Sequence, residues 1–206
     1  MRKANEETYD EISSFTMNWY RFDDDTVNLF YTGQISPTFI QDVLATLEVL
    51  DYKKFRLILN SPGGDATIVK IAPLMLKQCG LKEIITTTQC SSAALAICLE
   101  AKKLRIPVYM DIFTHVVLHK AMQTDIIENR SSRIENFNVN FVKNFEELFD
   151  EINKPILKKL TKEERDNYKN GHNVYFLADK LIEWGIFKAI DPTKFKYTLK
   201  KQEEYE

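Results

Sequence analysis

The sequence predicts an α/β domain on a largely parallel sheet, from two observations. Short apolar, β-branched runs alternate with longer segments whose apolar residues recur at helical spacing. The apolar runs lack a polar face, as strands covered on both sides do. The 206 residues suit one domain over the whole chain, 1–206, because single cores usually hold roughly 100–200 residues.

VNLFYTG (27–33) reads as a strand ending at Gly33. SPTFIQDVLATLEVLD (36–51) reads as a helix with Ser36 as its cap and Pro37 in the first turn. FRLILN (55–60) is the next strand, closed by the turn residues SPGGD. ATIVKIAPLMLKQCG (66–80) predicts a helix stopped by Gly80, and EIITTT (83–88) a strand. SSAALAICLEAKKL (91–104) predicts a helix, and VYMDIFTHVVLH (108–119) a strand. In NFNVNFVKNFEELFDEINKPILKKL (136–160), Phe137, Phe141, Phe145, Leu148, Phe149, Ile152 and Ile156 mark one face of a long helix. Pro155 is expected to bend or interrupt it. That face suits either the subunit's own core or a neighbouring subunit. LADKLIEWGIFKAID (177–191) reads as helix, glycine stop and short strand.

Composition excludes several classes. A net charge of -2 favours neither nucleic acid nor an anionic membrane as partner. No apolar run reaches the roughly 18 residues of a membrane span, and MRKANEETYDEISS has no apolar signal core. Cys79, Cys90 and Cys98 lack metal-ligand spacing and read as reduced thiols of a cytoplasmic protein. No metal or cofactor is expected, and histidine chemistry has only His115, His119 and His172 to draw on.

Two strand-to-helix junctions could carry chemistry. In Asn60-Ser61-Pro62-Gly63-Gly64-Asp65 the paired glycines permit a sharp turn that brings peptide N–H groups near a ligand. At a helix start such groups can hold an anion or oxyanion. No Walker motif accompanies them. At the second junction, Ser91 and Ser92 are either helix caps or a nucleophile whose following N–H stabilises a tetrahedral oxyanion. His119, ending an apolar strand, is the candidate base or a structural residue.

Taken together, TGQI (32–35), LILNSPGGDAT (57–67), TQCSSAAL (88–95) and VVLHKAM (116–122) resemble, in order and spacing, the segments of the ClpP peptidase family, the serine-protease subunit of the Clp machines. The resemblance covers roughly 27–191, and the SPGG segment is its most specific part. It implies a ClpP/crotonase-like spiral of β-α-β units with a protruding handle helix, here extended over about 130–165, after an N-terminal segment of about 1–18. It assigns Ser92 as nucleophile, His119 as base, and the Gly64 and Ala93 N–H groups to the oxyanion hole. The implied partners are copies of itself or paralogous subunits in heptameric or stacked rings, a Clp-type ATPase unfoldase, and unfolded polypeptide substrates.

The chain also departs from the family. Residues 177–190 resemble its last helix and strand, taken as the source of the triad acid, but G-L-V-D becomes Gly185-Ile186-Phe187-Lys188. An ammonium would oppose the charge a triad needs. Either Asp191 supplies the carboxylate, or a Ser–His dyad works without one, or the subunit is inactive and serves assembly. Thr88 and Ala94 stand where the family has glycines, and Lys120-Ala121 replaces the residues after its histidine. A crotonase-type acyl-CoA enzyme shares the fold, but the serine and histidine argue for the peptidase.

Overall fold

The computed structural model describes residues 15–21, 26–51, 53–120 and 132–191. In chain order the elements are β1 (Phe15–Arg21), β2 (Val27–Gly33), α1 (Phe39–Val49), β3 (Phe55–Ser61), α2 (Ile71–Gln78), β4 (Leu81–Cys90) and α3 (Ala93–Lys103). Then follow β5 (Val108–Met110), β6 (His115–Leu118), α4 (Ser132–Leu157), α5 (Lys162–Lys169), β7 (Val174–Leu177), α6 (Ala178–Glu183) and β8 (Lys188–Ala189).

The expected α/β architecture is present. The strands run in the order β1-β2-β3-β4-β5-β8, with β6 on β4 and β7 on β6. Among the described residues β2–β3, β3–β4, β4–β5, β4–β6 and β5–β8 are parallel, and β1–β2 and β6–β7 antiparallel. β2 and β3 bury residues on both faces, which explains their unbroken apolar runs.

Several boundaries differ from the sequence reading. The segment 108–119 is two strands, because the Asp111 carboxylate accepts the Phe113 N–H at 2.8 Å and its carbonyl accepts Thr114 N–H at 3.0 Å. That Asx turn releases the chain from β5 so that β6 can pair with the end of β4. α1 begins at Phe39 rather than beside Ser36, and Ser36 contributes its carbonyl to the Phe39 N–H instead of a side-chain cap. α2 begins at Ile71, because Asp65 holds Thr67 in a turn through its N–H and hydroxyl, each at 2.7 Å. α4 continues through Pro155 to Leu157.

β1, α5 and β7 were absent from the sequence reading. α5 is almost wholly polar, so no apolar period betrays it. Its start is a capping box, in which Glu164 N–H donates to the Thr161 hydroxyl at 3.2 Å and Thr161 N–H to the Glu164 carboxylate at 2.8 Å.

The core runs beneath the sheet and around α3, whose Ala93–Leu99 and Ala101 are all buried. A helix apolar on every side is an interior helix, and its alanines admit close approach by α2, α4 and β4. α4 lays Phe149, Ile152 and Ile156 against this core, so its C-terminal half packs on the subunit itself. The side chains of Phe137, Phe141 and Phe145 lie outside the described residues, as does the segment 1–14. Among the described residues no helix is long and apolar enough to cross a membrane.

Candidate active site

The glycine loop leaving β3 is bound on both sides. Ile35 N–H donates to the Gly63 carbonyl at 2.7 Å, and Asp65 N–H donates to the Ile35 carbonyl at 2.8 Å. Gly63 N–H donates to the Ser61 hydroxyl at 3.1 Å. A Cβ on Gly63 would lie 2.6 Å from the Ser92 Cβ and 3.0 Å from the Ala93 nitrogen, and one on Gly64 would lie 2.2 Å from the Ile35 carbonyl oxygen. The loop is thus wedged between the TGQI segment and the serine turn. No side chain fits at either position, and φ of +103° and +143° independently favours glycine.

Ser92 takes φ 51°, ψ -121° at the turn from β4 into α3. Such a conformation costs a non-glycine residue about 1–3 kcal/mol. A serine held on a sharp, strained strand-to-helix turn presents its hydroxyl clear of the backbone. Ser92 occupies the cap position but its side chain makes no capping bond, so the hydroxyl is not spent on the helix. Thr88, four residues earlier, also has positive φ (52°), at the bulge where β4 changes register against β3. There the chain holds a β-branched residue in a conformation that suits glycine.

Ser91 acts differently from the cap expected of it. It is buried, its N–H donates to the Ser61 carbonyl at 3.1 Å, and its carbonyl accepts the Ala94 N–H at 3.0 Å. Its hydroxyl accepts the Val117 N–H at 3.0 Å, while Ser92 N–H donates to the Val117 carbonyl at 3.0 Å. The serine pair therefore grips both backbone groups of the residue two places before His119.

His119 follows β6 and is half-buried. Its Nδ1 lies 2.5 Å from the Lys120 carbonyl oxygen. A carbonyl only accepts, so Nδ1 carries the hydrogen, and the neutral ring in this contact has its lone pair on Nε2. That tautomer is the one a general base needs. Among the described residues no hydrogen bond joins the Ser92 hydroxyl to the ring. Gly64 N–H and Ala93 N–H, the two expected oxyanion donors, make no hydrogen bond among the described residues, and Ala93 is fully buried. Their proximity follows from the seating of Gly63 on Ser92 and Ala93.

The strand expected to carry the acid runs along β5, and the strand beside β6 is β7. Lys188 is exposed on β8, which pairs with β5 in the register Tyr109↔Lys188. Asp191 follows on that same edge, behind Ile190, whose N–H donates to the Met110 carbonyl at 3.1 Å. The strand alongside β6 is β7, in the register His115↔Leu177 through Leu118↔Val174. Continued one residue past the end of both strands, that register would set His119 opposite Asn173, which precedes the last segment (177–191) of the sequence reading. The alternation of inward Val174 and Phe176 with outward Tyr175 was the available signal.

Cys90 and Cys98 are buried, with sulfurs 3.8 Å apart, and the neighbouring Cys98 together with burial pushes the Cys90 thiol well up. Among the described residues no cluster of histidine, cysteine and carboxylate side chains could hold a metal ion. No family model matches the chain, and no curated protein does so either.

Proposed function

We propose that this chain is a serine endopeptidase subunit of the ClpP-like kind. The observation that carries the reading is the convergence on Ser92: a strained, uncapped serine turn, a glycine loop seated on it, and the His119 strand bonded to it through Val117. Ser92 Oγ attacks the peptide carbonyl while Nε2 of His119 accepts its proton. The tetrahedral oxyanion forms against the Gly64 and Ala93 N–H groups. The imidazolium returns the proton to the leaving amine, and water then cleaves the acyl-enzyme by the same steps in reverse. In this reading the β-α-β units form the family's spiral, and α4 is a handle helix between stacked rings. Unfolded chains reach the enclosed sites in the cytoplasm through a separate ATPase unfoldase.

A second reading has one observation in its favour. His119 is bonded to the Lys120 carbonyl and not to Ser92, which suits a subunit that serves assembly without turning over. Apo catalytic hydrogen bonds often tighten only around substrate, so the first reading is preferred. A fluorophosphonate probe separates the two. Wild-type protein is expected to label covalently and Ser92→Ala not at all. Unlabelled, correctly assembled wild-type protein would leave the assembly reading standing.

A further inference from the structure

We propose that Asn173 is the positioning residue for His119, its side-chain carbonyl taking the ring N–H where a triad carboxylate would otherwise stand. The inference rests on the peptidase reading for its catalytic meaning, but its structural basis is independent. The β6–β7 register ends at Leu118↔Val174; continued by one residue beyond both strands, it would set His119 opposite Asn173. Directly opposed residues of an antiparallel pair project to the same face with Cβ atoms about 4.5–5.5 Å apart. Asn173 is already oriented: its Nδ2 donates to the Tyr175 hydroxyl at 2.8 Å. That bond uses one of the two Nδ2 hydrogens, and Oδ1 is the acceptor the amide offers to a proton donor. Tyr175 itself stands opposite Val117, the residue gripped by the serine pair, so both strands are indexed to the same point.

The consequence is a site whose third member is neutral. Nδ1–H meets the Lys120 carbonyl in this structure; turned from it, the ring would find the Asn173 amide as its acceptor, and either fixes the tautomer that leaves Nε2 basic. Neither carries the negative charge that would stabilise the imidazolium formed when Ser92 loses its proton. The other titratable groups on these strands are Lys120 beside the ring, His115 at the far end of β6, and His172 and Tyr175 flanking Asn173. None of them is a carboxylate. Catalysis is therefore slower than with a carboxylate, and replacing the amide by one should accelerate it.

The test uses the full chain with a short fluorogenic peptide, and NMR titration of His119 in a His172→Gln background so that the adjacent imidazole does not contribute. Asn173→Ala is expected to lower kcat roughly tenfold or more with KM unchanged. Asn173→Asp is expected to raise kcat and to move both the acidic limb of the rate profile and the His119 titration upward by about one pH unit. The proposal is overturned if the two variants match wild type in kcat and in the His119 titration. It is equally overturned if Asp191→Asn abolishes turnover while Asn173→Ala does not. Should Asn173→Ala misfold, Asn173→Asp and Tyr175→Phe carry the test alone. If no variant, wild type included, hydrolyses peptide or labels with fluorophosphonate, the peptidase reading fails. The titration shift in Asn173→Asp still decides whether residue 173 faces the ring.

Discussion

The Ser91 hydroxyl accepts the Val117 N–H at 3.0 Å, and the neighbouring Ser92 N–H returns a bond of the same length to the Val117 carbonyl. One serine of the pair thus positions the histidine strand while the other presents its hydroxyl. The division follows from burial: Ser91 is 2% exposed and can only satisfy an internal donor, whereas Ser92 is half-buried at a strained turn.

Ser91→Ala tests this division. Removing the acceptor strands the Val117 N–H and should cost about 1–3 kcal/mol, read as a lower denaturant midpoint. Fluorophosphonate should still label Ser92, at a rate reduced roughly tenfold because His119 loses its anchor. A labelling rate equal to wild type would mean that β6 holds its place without this bond.

Gly63→Ala should be far more damaging than alanine at another left-handed glycine. At Gly63 the new methyl would lie 2.6 Å from the Ser92 Cβ, in a backbone conformation of φ +103°. At Gly185 φ is +68° and nothing lies within 4 Å. Conformational strain alone costs about 1 kcal/mol at either site, so Gly185→Ala should fold and label normally. Gly63→Ala must also push the serine turn aside, and should lose at least about 2 kcal/mol of stability together with probe labelling. Equal behaviour of the two variants would sink the view that the glycine loop is seated on the nucleophile turn.

These contacts explain what the sequence could reveal. Parallel strands such as β3 are apolar on both faces, and α3 is small and apolar all round, so both announce themselves in composition. Ser92, His119 and the glycine pair stand at the ends of those elements, where a one-dimensional reading can find them. The strand beside the His119 strand was harder to anticipate because it depends on pairing between segments far apart in sequence. Position 188 and the substitute acid Asp191 follow from a motif, and no local pattern reveals that β8 pairs with β5 while β7 pairs with β6. β7 is four residues long and follows a polar helix, too little signal for its register to be anticipated. The Ser91–Val117 bond was hidden for the same reason, since a serine before a helix resembles a cap whether or not a strand takes its hydroxyl.

Tyr31 gives the fold a definite response to alkaline pH. It is wholly buried on β2, packs edge-on against Phe39 with ring centroids 4.8 Å apart, and donates its hydroxyl to the Gln34 carbonyl at 2.5 Å. Burial is the main cause that raises its pKa from 10.0 to about 12. The folded state thus keeps a proton that the unfolded chain releases above its ordinary value of 10.0, and stability must fall as pH rises from there towards about 12. Below that window this group contributes no pH dependence. Tyr168, also raised chiefly by burial, extends the decline to still higher pH. Denaturant midpoints measured across the window should therefore fall for wild type and fall less steeply for Tyr31→Phe. The variant should start lower, by about 1 kcal/mol, because the Gln34 carbonyl loses its donor. Parallel pH curves for the two proteins would show that Tyr31 ionises as readily in the folded chain as in the unfolded one.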